Sequence, residues 1–226
     1  MSRGPVALDL NAANSHVGSF DGRSFAITPF CVPLSHRGIR RRWQCWRLRG
    51  AVLAWLREIT QQTTAIPTDA ESQSHFLQPL EALARNPALS EAVQWHARVA
   101  IRDLESGAWQ PRWVLAHNDF WFGNLLRAPR EMPTPYPFFV IDWGGSQVRG
   151  HALYDLVTIA MSLKLSPSAF KIEVRAHSAA LQCEPKHGTH HLTSALAELA
   201  QNLGQWPVER FAEVAAARIR YAGRFD

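Results

Sequence analysis

Two stretches of this chain hold residues whose types and spacing could do chemistry: His117-Asn118-Asp119-Phe120-Trp121-Phe122-Gly123-Asn124-Leu125-Leu126 and Asp142-Trp143-Gly144. Asp119 stands two residues after His117 and five before Asn124. A carboxylate such as Asp119 can orient a hydroxyl and receive its proton. The amide oxygen of Asn124 and the carboxylate of Asp142 are the hard oxygen ligands that Mg2+ prefers. Phosphoryl transfer asks a protein for these parts, metal ions on the phosphates and a carboxylate at the attacking hydroxyl, with little covalent chemistry besides. Each residue also has a plain alternative: Asp142 and Asp155 as strand-end and helix-cap residues, Asn124 in a turn, His117 as a satisfied core histidine. The ordered set, placed on two strand ends, is what points to chemistry.

The elements that must hold these residues are legible around them. Trp113-Val114-Leu115-Ala116 and Phe138-Phe139-Val140-Ile141 are short apolar runs that read as buried strands, each ending in one of the polar clusters. Between them Ala128 to Pro137 holds four prolines and reads as a loop. Upstream, residues 1–14 read as a loose end, and Val17 to Phe20 with Arg23 to Ile27 read as a hairpin around Asp21-Gly22. Apolar spacing predicts a helix from Trp43 to Gln62. It predicts another at Phe76, Leu80 and Leu83, and a longer one through Leu89, Val93, Ala97, Ala100 and Leu104. After Gly150, helices are predicted at Tyr154 to Leu163, Pro167 to Leu181, Leu192 to Leu203 and Pro207 to Tyr221.

The His-x-Asp-x-x-x-x-Asn spacing of His117, Asp119 and Asn124 is that of a kinase catalytic loop, and Asp142-Trp143-Gly144 matches the Asp-aromatic-Gly triplet that follows it. With Ile141-Asp142-Trp143 and the tail Gly150, Tyr154, Asp155 and Leu156, the segment from Trp113 to Ala160 resembles the aminoglycoside phosphotransferase and choline kinase family, which has a protein kinase-like fold. The resemblance implies Asp119 as catalytic base, His117 as organiser of the loop, and Asn124 and Asp142 as metal ligands. It also implies Leu126 as the floor of the adenine pocket, Asp155 as the tie between loop and next helix, and ATP with Mg2+ as cofactors. Asn118 stands where many members have Gly, and His151-Ala152 replaces the usual Asp-Pro.

Composition narrows the remaining choices. The 226 residues are 46% hydrophobic, enough for a substantial core. Neither a run of about eighteen apolar residues nor a targeting segment is visible, so a cytoplasmic protein without a membrane partner is expected. Cys31, Cys45 and Cys183 show no C-x-x-C pair and read as free thiols. The net charge of +5 is carried by arginine with three lysines, and the run Arg37, Arg40, Arg41, Arg42, Arg47 and Arg49 includes Trp43 and Trp46. That run reads as a solvated helix face beside buried tryptophans, and nucleic acid is not expected as a partner. Cys183, His187, His190 and His191 fit no zinc spacing and read as a solvated loop. Gly18 to Gly22 reads as a hairpin turn, not a phosphate cradle.

The expected molecule is an α+β protein: a mostly helical, kinase-like C-terminal lobe at 43–226, with 1–42 as the remnant of an N-terminal lobe and its linker. The expected activity is transfer of the ATP γ-phosphoryl group to a small-molecule hydroxyl. No lysine precedes Asp119, whereas a complete kinase uses a strand lysine on the α- and β-phosphates. Impaired turnover is therefore expected, with a non-catalytic pseudokinase-like interaction module as the alternative reading.

Overall fold

The computed structural model describes residues 16–20, 23–27, 31–35, 37–129, 134–204 and 206–223. Strands β1 (His16–Phe20) and β2 (Arg23–Ile27) pair antiparallel, His16 opposite Ile27 and Phe20 opposite Arg23. The Asp21-Gly22 turn, the loose end at 1–14 and the middle of the proline-rich loop lie outside the described residues. Strand β3 (Val32–Pro33) leads into α1 (Gly38–Thr63), which begins five residues before the helix expected from Trp43. Its inner face carries Leu48, Val52, Leu53, Leu56 and Ile59, all buried.

Beyond α1, two helices start where a side chain satisfies a backbone donor. Thr68 accepts from the Glu71 N–H at 3.2 Å while Glu71 accepts from the Thr68 N–H at 2.9 Å, a capping box that opens α2 (Asp69–Ser72). A π-turn (Gln73–Leu77) carries this helix into α3 (Gln78–Arg85). Helix α4 (Glu91–Glu105) follows. Later come α5 (Tyr154–Leu163), α6 (Pro167–Ala180), α7 (Gly188–Gln201) and α8 (Val208–Ala222). Ser166 accepts from the Ala169 N–H at 3.3 Å and Pro167 fills the first turn, which fixes the start of α6.

Two small sheets sit among these helices. β3, β5 (Leu125–Arg127) and β6 (Phe138–Val140) form one, and β4 (Trp113–Ala116) pairs antiparallel with β7 (Gln147–His151) in the other. α1 packs on α5, α6 and β4, while α3, α4, α7 and α8 close the other side of the core around Phe76, Trp109 and Phe211. The mixture is an α+β arrangement in which helix predominates. Among the described residues no helix is long and apolar enough to cross a membrane.

Two expectations fail in this body. Trp43 and Trp46 are 52% and 69% exposed, not buried. The periodicity that counts them inward mixes two faces: Leu48, Val52 and Ile59 face the core, and Ile39, Trp43 and Trp46 face away from it. His187, His190 and His191 lie buried at and inside the start of α7, not in a solvated loop. Trp109 and Asp103 of the neighbouring segment accommodate them, His190 Nε2 lying 2.9 Å from Asp103 Oδ2.

Candidate active site

The loop after β4 is held by backbone hydrogen bonds to one buried carboxylate. Asp155, in the first turn of α5, accepts from the His117 N–H at 2.6 Å through Oδ2 and from the Asn118 N–H at 3.0 Å through Oδ1. Burial pushes the Asp155 carboxyl up to about 6, against the pull of these N–H donors. Asn118 takes the left-handed conformation at φ 65°, which Asn tolerates, and donates its amide to the Gly145 carbonyl at 2.9 Å. An Asn at this position is thus held by a side-chain bond that glycine cannot make.

His117 joins the two clusters. Its Nδ1 accepts from the Asp119 N–H at 3.3 Å, so the ring proton belongs on Nε2, which lies 2.9 Å from the Ile141 carbonyl. The ring thereby ties the Asp119 backbone to the residue before Asp142. Asn124 does the same from the other side: its backbone carbonyl accepts from the Ile141 N–H at 3.0 Å, next to the β5–β6 pair Leu125 and Val140. Asp119, Asn124 and Asp142 are therefore brought to the same pair of strand ends.

The Asn124 amide donates to the Asp119 carbonyl at 2.8 Å and to Asp119 Oδ2 at 2.9 Å. Both amide hydrogens are engaged, and the amide oxygen is left as an acceptor. Asn124 is buried while Asp119 and Asp142 are exposed. Asp142 sits at φ 65°, an uncommon conformation for an aspartate, and no hydrogen bond or ion pair engages its carboxylate among the described residues. No group of three or more His, Cys, Asp or Glu side chains placed to hold a metal occurs there either. One amide oxygen and one unpaired carboxylate fit Mg2+ nonetheless, because that ion keeps its waters and substrate phosphates and uses few protein ligands. Leu126 lies in the middle of the β3–β5–β6 sheet, opposite Phe139 and Pro33, half buried.

Several supporting residues carry no sequence signal. Ser162, near the end of α5, accepts from the Phe122 N–H at 3.0 Å, and its carbonyl accepts from the Arg41 guanidinium at 3.1 Å. Arg41 lies over the Phe122 ring, 5.6 Å from its centroid. Trp55 of α1 packs against Phe120, Phe138 and Trp143 at 5.2, 6.0 and 6.4 Å, and Thr63 accepts from the Leu115 N–H at 2.9 Å. These contacts span tens of residues of sequence, so no local pattern announces them. A cavity of about 470 Å³ lined by Gln61, Thr64, Arg112, Ala179 and Gln182 shares no residue with the loop.

A comparison with family models matches residues 40–187 to the phosphotransferase enzyme family. The chain belongs to that family. Membership agrees with the aminoglycoside phosphotransferase resemblance carried by the His117 to Asp142 motif. The matched span takes in the loop, both strand ends and Asp155, and stops at the start of α7. Phosphotransferase chemistry in general follows at the level of the family. A comparison with curated proteins finds no match.

Proposed function

We propose that the chain transfers the γ-phosphoryl group of ATP to a hydroxyl of a small molecule, with the helical body from α1 onward as a kinase-like catalytic lobe. The observation that carries this reading is the Asn124 amide, which holds Asp119 through both of its hydrogens and keeps its oxygen available. Asp119 takes the acceptor hydroxyl's proton as the oxygen forms its bond to the γ-phosphorus and the bond to the β-phosphate oxygen breaks. Asn124 and Asp142 would hold Mg2+, which offsets charge on the phosphates. His117 and Asp155 position the loop, and Leu126 would line the adenine site.

The test is ATP consumption by the purified chain with Mg2+ across aminoglycosides, amino alcohols and sugars, with Asp119→Ala beside it. Substitution is expected to lower kcat by at least about a hundredfold with nucleotide affinity nearly unchanged, since Asp119 acts at the hydroxyl. Equal turnover by the two proteins removes Asp119 from the mechanism. One observation favours a second reading, a non-catalytic interaction module: no lysine precedes Asp119 in these residues. Absence of both Mg-ATP binding and turnover on every acceptor would favour it.

A further inference from the structure

The first half of α1 turns an apolar stripe away from the core. Ile39, Trp43 and Trp46 are 83%, 52% and 69% exposed. At about 100° per residue they fall with Gly50 in a stripe about 60° wide, roughly opposite the buried Leu48, Val52, Leu56 and Ile59. Arg42 and Arg49 run along one edge of the stripe, and Arg40 and Arg47 along the other. All four are exposed, and among the described residues none of them makes an ion pair. No acidic residue occurs from Gly22 to Arg57, and none stands in the first turn of α1, where the helix dipole is itself positive. The face is thus apolar along its middle, cationic along both edges and without internal compensation.

We infer that this face seats the protein on an anionic lipid surface. Tryptophan and isoleucine in a stripe, with arginine on its flanks, is the pattern of a helix lying in the plane of a membrane interface. The face is one side of a single helix, and it is convex. It therefore suits a planar partner and offers no concavity for a small molecule. Nucleic acid fits less well, because the Arg47 guanidinium lies 5.2 Å over the Trp43 ring and closes one side to a stacking base, while Ile39 offers none. A second copy fits less well again, because a two-fold contact would bring the arginine rows against themselves. The expectation that membranes are not partners rests on the lack of a spanning or targeting segment, and a surface-seated helix needs neither. α1 is continuous to Thr63, and its Trp55 packs on Phe120, so the helix that carries the docking stripe also packs against the loop.

The experiment is co-sedimentation of the full chain with phosphatidylcholine vesicles, with and without an equal part of phosphatidylglycerol, and with rising salt. Binding is expected to the anionic vesicles and to fall as salt rises. Trp43→Ser with Trp46→Ser should weaken it about tenfold or more. Changing Arg40, Arg42, Arg47 and Arg49 each to Gln should weaken it about fivefold per residue. The replaced side chains are exposed, and an unchanged thermal melt of each variant checks that the fold is kept. Equal binding to neutral and anionic vesicles, or unchanged binding by the tryptophan variant, overturns the inference. It is also overturned by binding of single-stranded RNA without vesicles, or by a dimer that the tryptophan variant abolishes.

Discussion

The loop from His117 to Asn124 and the histidine-rich side of the helical body both bury polar groups, and they differ in how those groups are satisfied. At the loop, Asp155 receives two backbone N–H groups, and both ring nitrogens of His117 are engaged. Elsewhere in the helical body, among the described residues, both ring nitrogens of His151 are buried without a partner, as are Nδ1 of His190 and His191 and Nε2 of His177 and His187. Backbone partners fix a loop's shape. A buried imidazole without a full set of partners is tolerated only while it is neutral. Polar burial therefore positions the site in one region and makes the fold sensitive to acid in the other.

The largest expected effect follows from that difference. Burial lowers His151, His177 and His191 to about 3, whereas an unfolded histidine titrates near 6.5. Because the unfolded chain binds the extra protons, stability is fully present above about pH 6.5 and is lost as pH falls toward 3. At about pH 5 each histidine costs about 2 kcal/mol, about 6 together, a large part of the roughly 5–15 kcal/mol that holds a domain folded. Asp155 acts in the opposite sense. Its raised carboxyl favours the folded state below the unfolded value, and that contribution is lost as pH rises through about 6, so it returns about 1 kcal/mol at pH 5. Urea denaturation at about pH 8 and pH 5 measures the sum. His151→Phe, which puts an apolar ring among Phe76 and Trp113, should narrow the gap between the two conditions. An unchanged gap would mean that His151 finds a partner.

Next in size is Asp155→Ala. It leaves the His117 and Asn118 N–H groups without an acceptor in a buried place, a loss of about 3–5 kcal/mol in the same denaturation experiment. Asp155→Asn keeps one acceptor oxygen and should recover part of it. His117→Gln should change stability less than it changes turnover. With the tie between the Asp119 N–H and the Ile141 carbonyl weakened, a shift of about 1 Å can lower kcat about a hundredfold while KM stays near its original value.

The comparison also explains what the sequence could reveal. The strands that position His117, Asp119, Asn124 and Asp142 were legible because β4 and β6 are short apolar runs, each followed by a polar cluster. Helix α5 was legible from Tyr154 to Leu163 because its sequence is mostly apolar, with Leu156, Val157, Ile159, Ala160 and Leu163 all buried. Strand β7 was not, since Gln147-Val148-Arg149-Gly150-His151 is polar and becomes a strand only by pairing with β4. The start of α7 at Gly188 was hidden, because Gly-Thr-His-His carries no capping signal and its burial depends on Trp109 and Asp103, far away in sequence. The outward Trp43 and Trp46 were misread because a period fixes which residues share a face, and only packing decides which face is inward.

The smallest effects separate two glycines that look alike in sequence. Gly150 lies in β7 opposite Val114, and a Cβ there would stand 2.4 Å from the Ala116 Cβ and 3.4 Å from Ala116 backbone atoms. Neither strand can yield alone, so Gly150→Ala must part β4 from β7 and displace the residue that leads into His117. Overpacking of this kind costs about 1–3 kcal/mol, or roughly 2–12 °C in melting temperature for a chain of this size. A Cβ at Gly123 would come as close, 2.2 to 2.6 Å, but to the ring of Trp121, which is 42% exposed. That ring is the far end of a side chain with solvent to move into, so Gly123→Ala should stay within about 0.5 kcal/mol, as surface substitutions do. Thermal melts of the two variants at about pH 8, where the histidines are neutral, read the difference without the acid term. Equal destabilisation would mean that the Trp121 ring is pinned as firmly as the β4–β7 pair.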